Sequence, residues 1–350
     1  MLTPDDVRRY LDRLTKPPGS LGRLEILAVR LAGIQQTLAP QTRPRRLVLF
    51  AADHGVVAEG VTAWPAAVTH QMVQNIAAGG AASSVLARST GTDLRLIDVG
   101  TLGPDLGDVP GYACRKVRAG SRNLAREPAL TVGEFDRAVS VGREQALLSA
   151  TDGMRLVAAG EMGIGNSTSA SCLTALLADV PAEMAVGRGA GADEDSMARK
   201  RAVVAAAVEA QRDRLPGEPL AAIAAVAGLE IAALTGFFMA AADLGLTVVL
   251  DGYIATAAAL AAERLRPGTA ASMIAAHRSA EPGHAAALAR LELEPFLDTW
   301  NMRLGEGTGA LLLLPLLDSA AAILNGMATF DSAGIGPLEA LTKLATDEHG

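Results

Sequence analysis

Short continuous apolar runs alternate along the chain with longer stretches in which apolar residues recur at helical spacing. Two of the runs, "RRLVLFAADHG" (45–55) and "LRLIDVG" (94–100), are rich in Val, Leu and Ile, which is typical of buried strands. The later runs "MRLVAAG", "LGLTVVLDG" and "ASMIAAH" each end at a glycine or polar residue that precedes a helical pattern. Strands that alternate with helices predict an α/β fold with a mostly parallel sheet between helical layers.

Helices are predicted on both sides of these strands. The first 35 residues predict two helices separated by "KPPGSLGRLE" (16–25), because two successive prolines cannot continue a helix. Helical patterns also cover about 66–87 and Val132–Ser149, and the segment 101–132 between them is predicted to be a long excursion. The apolar run Ile231–Ala242 is about half the length that crosses a bilayer, so a buried helix is predicted there.

Composition narrows the class of protein. The 350 residues are 50% hydrophobic and only 3% aromatic, and the net charge is −7, without a basic stripe that would favour nucleic acid as a partner. The length allows one large domain or two smaller ones. The two cysteines, Cys114 and Cys172, show no metal or redox spacing, which favours a reducing compartment. The N-terminal residues are charged from the start. We therefore expect a soluble cytoplasmic protein without a membrane partner.

The segment "EMGIGNSTSAS" (161–171) is the strongest local signal for a ligand. It places two glycines and a run of hydroxyl and amide side chains between a predicted strand and a predicted helix. Free N–H groups at a helix N-terminus, together with hydroxyls, favour an anion and usually a phosphate. A capped helix after a tight turn is the alternative interpretation. The segment lacks the third glycine of a dinucleotide fingerprint and the Gly-Lys-Ser/Thr of a P-loop.

A second glycine cluster, "GRGAG" (187–191), precedes a predicted helix that begins with the acids of "ADEDSMARK" and contains Lys200. Acids suit the first turn of a helix, so the local pattern by itself favours a surface cap and a solvated lysine. Both glycine clusters could instead face one phosphate, with Lys200 and Arg303 as the cations.

Other candidate motifs give weaker signals. The segment "HRSAEPGH" separates His277 from His284 by seven residues, which favours local hydrogen bonding over a metal site. No Gly-x-Ser-x-Gly nucleophile motif is present. The segment "RLGEGTG" (303–309) holds one carboxylate, Glu306, among three glycines. Glycine allows a ligand or a second chain to approach the backbone closely, so this acid is either a turn residue or a group that faces a small ligand.

Seven segments form an ordered set between about Thr15 and Met327: "TKPPGSLGRLE", "ADHGVVAEGVTAWPAAVTHQMV", "GEMGIGNSTSAS", "GRGAG", "VLDGYIATAAAL", "HRSAEPGH" and "RLGEGTGALLLLPLLDSAAAIL". The set resembles the nicotinate-nucleotide:dimethylbenzimidazole phosphoribosyltransferase family, which activates the lower-ligand base in cobalamin biosynthesis. The resemblance implies a homodimer and a Rossmann-like sheet in one phosphoribosyltransferase domain, 1–350. Within it, residues 1–40 and about 325–350 would form a small helical subdomain beside an α/β core at 41–324.

The resemblance also implies a reaction and a set of site residues. Phosphoribose would pass from nicotinate mononucleotide to a benzimidazole, which gives α-ribazole 5′-phosphate and nicotinate. Glu306 would be the catalytic base and Glu161 would lie by the ribose. The phosphate would be bound by Gly163, Gly165, Asn166, Gly189, Lys200 and Arg303. The base pocket would contain Met162, Leu304, Trp64, Gln71 and Met72, and the sequence does not determine which base is accepted.

One carboxylate suffices for this chemistry. The leaving pyridine nitrogen is cationic and becomes neutral on departure, so it needs no general acid, while the attacking azole must lose one proton. We therefore expect no metal and no cofactor. A metal-dependent transferase that uses phosphoribosyl pyrophosphate is one alternative, because "VVLDGYIATAAA" faintly resembles its ribose-phosphate loop. A non-catalytic nucleotide-binding protein is the other.

Overall fold

The computed structural model describes residues 1–189 and 191–336. The chain divides into two compact units, of which the smaller contains Met1–Thr42 and the residues from Pro315 onward. The larger unit is Arg43–Leu314. The small subdomain predicted from the sequence, 1–40 with about 325–350, stays a prediction, because residues 337–350 lie outside the described part of the chain.

The strands of the larger unit form one parallel sheet. They are β1 (Arg45–Ala52), β2 (Asp93–Gly100), β3 (Tyr112–Cys114), β4 (Leu156–Met162), β5 (Thr247–Leu250) and β6 (Met273–Ala275). Within the described residues the order in the sheet is β3-β2-β1-β4-β5-β6, and every neighbouring pair is parallel. The predicted α/β class is confirmed. The order reverses direction between β1 and β4, and in doubly wound sheets ligands bind at the carboxyl ends beside such a switch point.

Helices follow most of the strands. They are α1 (Pro4–Asp12), α2 (Arg23–Gln35), α3 (Ala67–Ala77), α4 (Ala82–Thr90), α5 (Val132–Thr151), α6 (Asn166–Leu177), α7 (Ala182–Ala185), α8 (Glu194–Arg212), α9 (Pro219–Val226), α10 (Leu229–Asp243), α11 (Tyr253–Leu265), α12 (Gly283–Arg290), α13 (Thr308–Gly326) and α14 (Phe330–Ala333). Among the described residues, α13 is the one helix with the length and hydropathy of a membrane span. Half of its most apolar window is buried.

Two predictions from the hydrophobic pattern need correction. The single helix predicted at about 66–87 is two helices, α3 and α4, because Gly79 adopts a φ of +84° that ends the first of them. The predicted excursion at 101–132 contains the short strand β3, which is only half-buried and has three residues, too few to produce a recognisable apolar run.

The smaller unit explains the motif "KPPGSLGRLE". The Nζ atom of Lys16 lies 2.8 Å from Oε1 of Glu25, and the lysine side chain is almost fully buried. The same carboxylate oxygen accepts the backbone N–H of Leu21 at 3.0 Å. The turn between α1 and α2 is therefore closed by one buried ion pair. Removal of only one partner of such a pair lowers the free energy of unfolding by several kcal/mol, because the remaining charge is then buried without a partner.

Helices α5 and α10 of the larger unit pack with their backbones in close approach. A Cβ atom added at Gly142 of α5 would lie 2.7 Å from the Phe237 nitrogen and closer still to the carbonyl oxygen of Ala233. Gly236 of α10 meets the backbone of Val139 in the same way. Phe237 is fully buried and contacts Phe50 of β1 edge to face, with 6.1 Å between the ring centroids. The helix pair is therefore continuous with the core of the sheet.

We expect Gly142→Ala to lower the free energy of unfolding by about 3 kcal/mol, the upper end of the usual range for overpacking, because backbone atoms cannot move aside as a side chain can. Gly133→Ala is the matched control in the same helix. Its Cβ would meet only Nη1 of Arg137, at 3.9 Å. This control should be neutral or stabilising by up to about 1 kcal/mol, since alanine favours helix over glycine. Chemical denaturation of both variants measures the difference, and equal stabilities would contradict the proposed packing.

Candidate active site

A cavity of about 650 Å³ opens outside the carboxyl ends of β4, β5 and β6. Residues after these strands form most of its wall, and α3 closes one side. The lining residues are Thr62, Trp64, Val68, Met72, Glu161, Met162, Gly163, Ile164, Gly165, Asn166, Ser167, Gly189, Asp251, Gly252, Tyr253, Ile254, Ala255, His277, Ser279, Glu281, Arg303, Leu304, Gly305 and Glu306. The structure thus brings together most of the site residues predicted from the sequence.

The glycine-rich turn after β4 forms one end of this cavity. Gly165 has a φ of +94° and is the residue before α6, so the free N–H groups of the first turn of α6 lie beside the cavity. Helix α3 holds this turn in place, because the backbone N–H of Ile164 donates to Oγ1 of Thr69 at 3.0 Å. Asn166 and Ser167 add polar side chains at the same place. This geometry suits an anion.

Lys200 lies directly behind the glycine clusters and is 1% exposed. Its Nζ donates to Oγ of Ser167 at 2.9 Å and to the carbonyl oxygen of Gly187 at 2.8 Å. Burial lowers the pKa of Lys200 to about 8, and the Glu281 carboxylate opposes that shift. The ammonium group therefore stays mostly charged at neutral pH. It is not among the lining residues, so it acts on the cavity from behind Ser167 and Gly189.

The loop that carries Glu306 has an unusual backbone. Gly305, Glu306 and Gly307 all have positive φ values, of 84°, 57° and 71°. Such a conformation costs little at glycine but is strained at glutamate, and strained residues of this kind concentrate at functional sites. A Cβ at Gly307 would lie 2.5 Å from Cδ1 of Leu47, and one at Gly305 would collide with Glu161. The glycines therefore let this backbone lie directly on the strand ends, with Glu306 4% exposed at the cavity wall.

Asp251 fixes this loop to the sheet. Its two carboxylate oxygens accept the backbone N–H groups of Gly307 and Ala310, each at 3.1 Å. Asp251 thus caps the N-terminus of α13, where a negative charge is favourable.

Burial and neighbouring acids raise the pKa values of Glu161 and Glu306 in the cavity. Burial raises the pKa of Glu161 to about 8, and repulsion from Glu230, Asp251 and Glu306 adds to the shift, while the amide of Asn166 donates to Glu161 and opposes it. Burial also raises the pKa of Glu306, with a contribution from Asp251 in the same direction. Glu161 is therefore mostly protonated at neutral pH. A carboxylate with a raised pKa is a stronger base, as a proton acceptor requires.

All but one of the predicted base-pocket residues line the cavity. Trp64, Met72, Met162 and Leu304 line the cavity. Gln71 is exposed on α3 and is not a lining residue. Val68 and Met72 are four residues apart and share the helix face that meets the cavity, and Gln71 lies off that face. Arg303, the second predicted cation, lies exposed at the mouth, where among the described residues it has no ion pair.

The histidines differ in their surroundings. Nδ1 of His284 accepts the N–H of Ser279 at 2.7 Å and its Nε2 lies 2.9 Å from Oγ1 of Thr256, which confirms local hydrogen bonding there. His277 lines the cavity, and its buried Nδ1 has no partner among the described atoms. His54 forms a fully buried pair with Glu230 at 2.6 Å behind Gly163. Within residues 1–189 and 191–336, no three His, Cys, Asp or Glu side chains are grouped to hold a metal ion.

Sequence reasoning missed several contributors besides Asp251, and three of them form contacts that matter here. Ser279 and Glu281 line the cavity after β6, and Glu281 accepts the N–H of Gly189 at 2.9 Å. Their position after a predicted strand was the available signal. The third is Ser83 of α4, whose hydroxyl donates to Oε2 of Glu306 at 3.2 Å across 223 residues of sequence. No local pattern indicates this contact.

Comparison with known proteins identifies the family. A family model described as "Phosphoribosyltransferase" matches residues 3–335. The chain belongs to this phosphoribosyltransferase family. It is 48% identical to the nicotinate-nucleotide–dimethylbenzimidazole phosphoribosyltransferase of Ralstonia nicotianae, over 94% of this chain and 92% of that protein. It is 47% identical to the enzyme of the same name from Thermus thermophilus, over 94% and 96% of the two chains.

The fold of this phosphoribosyltransferase also matches a solved structure. The crystal structure of CobT from Thermus thermophilus superposes with a TM-score of 0.90 at 46% sequence identity, covering 95% of this chain and 98% of that one. The Rossmann-like sheet between helical layers, inferred from the resemblance, is thereby confirmed.

We expect Glu161→Gln to remove a pH dependence of stability. The pKa of Glu161 is about 8 in the folded chain and 4.5 for a glutamate side chain in water, so between these values only the folded chain holds the proton. The stability that this proton provides is complete below pH 4.5 and is lost as pH rises through 8, at about 1.4 kcal/mol per pH unit within that window. Thermal unfolding at pH 5 to 8 should show the wild-type Tm falling relative to that of the glutamine variant. Parallel curves would contradict the assignment.

Proposed function

We propose that this chain transfers 5-phosphoribose from nicotinate mononucleotide to 5,6-dimethylbenzimidazole or a related base, with α-ribazole 5′-phosphate and nicotinate as products. The observation that carries the proposal is the cavity itself, which has an anion-binding turn at one end and one strained, buried glutamate at the other. Relatives that bear the name of this activity share nearly half of their residues with this chain over most of its length.

The phosphate of the nucleotide would bind at the turn after β4. The backbone at Gly163, Gly165 and Asn166 lines this end of the cavity, and Gly189 brings the second glycine cluster beside it. Lys200 would supply positive charge from behind, and Arg303, which also lines the cavity, would be the second cation. The ribose would then lie over Glu161, between the phosphate and Glu306.

Glu306 would act as the general base. One nitrogen of the benzimidazole forms the bond to C1′ while the proton on its other nitrogen passes to the Glu306 carboxylate. The bond between C1′ and the pyridine nitrogen breaks, and its electron pair neutralises the pyridinium, so nicotinate leaves without a proton. The flat heterocycle can lie against the backbone of Gly305 because no side chain projects there.

The decisive experiment is to incubate the protein with nicotinate mononucleotide and a panel of benzimidazole, purine and phenolic bases and to identify the products by mass spectrometry. Release of nicotinate with formation of a ribosylated base supports the proposal. Nucleotide binding without nicotinate release favours the non-catalytic alternative. The panel also identifies the preferred base.

We expect turnover in the presence of a chelator to match turnover without it, because this reaction has no pyrophosphate whose charge a metal must neutralise. The control adds magnesium back to the chelated enzyme. Activity that disappears in the chelator and returns with magnesium, with phosphoribosyl pyrophosphate as donor, would favour the metal-dependent alternative.

We expect Glu306→Gln to lower kcat by about 10²–10⁴-fold, the contribution of a positioned general base, with little change in KM for the nucleotide. An amide can accept a hydrogen bond but cannot take the proton. The rate should recover partly at higher pH, where solvent removes the azole proton more readily. A glutamine variant that keeps more than about a third of the wild-type kcat would assign the proton to another group, with Glu161 as the next candidate.

The setting of the enzyme is part of the proposal. A role in assembling the cobalamin nucleotide loop, a cytoplasmic location and a homodimer follow from the family resemblance rather than from any described contact. Gel filtration with light scattering tests the dimer.

A further inference from the structure

The inference concerns Ser83 and rests on the proposed function of Glu306. Ser83 lies in the first turn of α4, is fully buried and is not among the residues that line the cavity. Its Oγ donates to Oε2 of Glu306 at 3.2 Å. Among the described residues, no other side chain donates a hydrogen bond to the Glu306 carboxylate.

Helix α4 has no capping side chain of its own. The residue before it is Ala81, which offers no hydrogen-bond acceptor in its side chain, so the N–H groups of the first turn lack a local partner. The Glu306 carboxylate occupies this position from a distant part of the chain. The backbone amide of Ser83 and its hydroxyl both favour the charged form of the carboxylate. A negative charge is also favourable at a helix N-terminus.

The other groups around Glu306 act in the opposite sense. The described ionisable groups that face it are Asp251, after β5, and Glu161, at the end of β4, and both are acids. Burial adds to their effect. Loss of the Ser83 donor would therefore raise the pKa of the Glu306 carboxyl further and favour its protonated form, which cannot accept a proton from the substrate.

We propose that Ser83 is a positioning residue for the catalytic base, whose hydroxyl orients the Glu306 carboxylate and favours its charged form. It binds one of the two carboxylate oxygens. A carboxylate has about four lone-pair sites, so capacity remains to take the azole proton.

The test is the pH dependence of kcat in Ser83→Ala. A hydrogen bond to a charged group contributes about 1.5–3 kcal/mol, so kcat near pH 6 should fall by about tenfold or more. The acidic limb of the profile of kcat against pH should move to higher pH by about one unit or more. The direction follows because the variant loses a group that stabilises the charged carboxylate. The difference in kcat between Ser83→Ala and the wild type should be smaller at pH 9 than at pH 6. KM for nicotinate mononucleotide should stay within about twofold, since Ser83 does not line the cavity.

Ser84→Ala is the matched control. Ser84 is also buried in the first turn of α4, but its Oγ donates to the carbonyl oxygen of Ile76 at 2.9 Å and not to Glu306. Its pH profile should match that of the wild type. The titration of the benzimidazole is common to all variants, so a difference between profiles belongs to the protein. An equal shift in both variants would overturn the proposal, because it would report a general loss of α4.

A double-mutant cycle separates positioning from folding. In a Glu306→Gln background, Ser83→Ala should change the residual kcat by less than about twofold, because no carboxylate remains to be oriented or ionised. A loss as large as in the wild type overturns the proposal, as does a Ser83→Ala profile that superimposes on that of the wild type. If the wild type releases no nicotinate, the proposed function fails. If it does and Ser83→Ala behaves as the wild type, only this inference fails.

Discussion

The bonds from the Asp251 carboxylate to the N–H groups of Gly307 and Ala310 are the constraint on which the catalytic end of the cavity depends. Asp251 directly follows β5, so these bonds fix the first turn of α13 to the sheet. Glu306 is the residue before Gly307 and is fixed with it. A buried carboxylate without partners would be costly, but two amides and the positive end of a helix dipole stabilise this one. The glycines are the second half of the constraint, because they let the loop approach the strand ends closely enough for those bonds to form.

Asp251 also adds to a negative region. Its charge acts on Glu161 and Glu306, whose pKa values burial already raises. Of the two cations, Lys200 is buried behind the glycine clusters, whereas Arg303 is exposed in the same loop as Glu306. A nucleotide with an anionic phosphate near Lys200 and a positively charged ring near the acids would match this distribution of charge. In the proposed reaction, positive charge also develops at C1′ as the pyridine leaves. The negative charge of Asp251 would stabilise that charge in a site with little water, where electrostatic interactions are stronger than in bulk solvent.

Sequence reasoning succeeded where the signal is local. The strands that deliver the site are continuous apolar runs, and each is followed by glycine or a polar residue, so both the parallel sheet and the edge that binds ligand could be predicted. The positions of Gly163, Gly165, Asn166 and Glu306 followed from the same pattern and from the family resemblance. The face of α3 that meets the cavity could not be predicted in this way. Met72 faces the cavity and Gln71 faces solvent, and a shift of one residue in a helix of uncertain start exchanges such neighbours.

The break between α3 and α4, which the hydrophobic pattern does not predict, determines what surrounds Glu306. The pattern at 66–87 favours one continuous helix, and in a continuous helix the N–H of Ser83 would bond to a carbonyl four residues earlier. The break at Gly79 ends α3, so α4 begins with free N–H groups at the place where Glu306 lies. Ser83 and Glu306 are 223 residues apart, and their contact exists only because the chain stops one helix and begins another there. The sequence carries this information in two adjacent glycines. Their meaning depends on a carboxylate that no local window contains, so the contact could be found only in three dimensions.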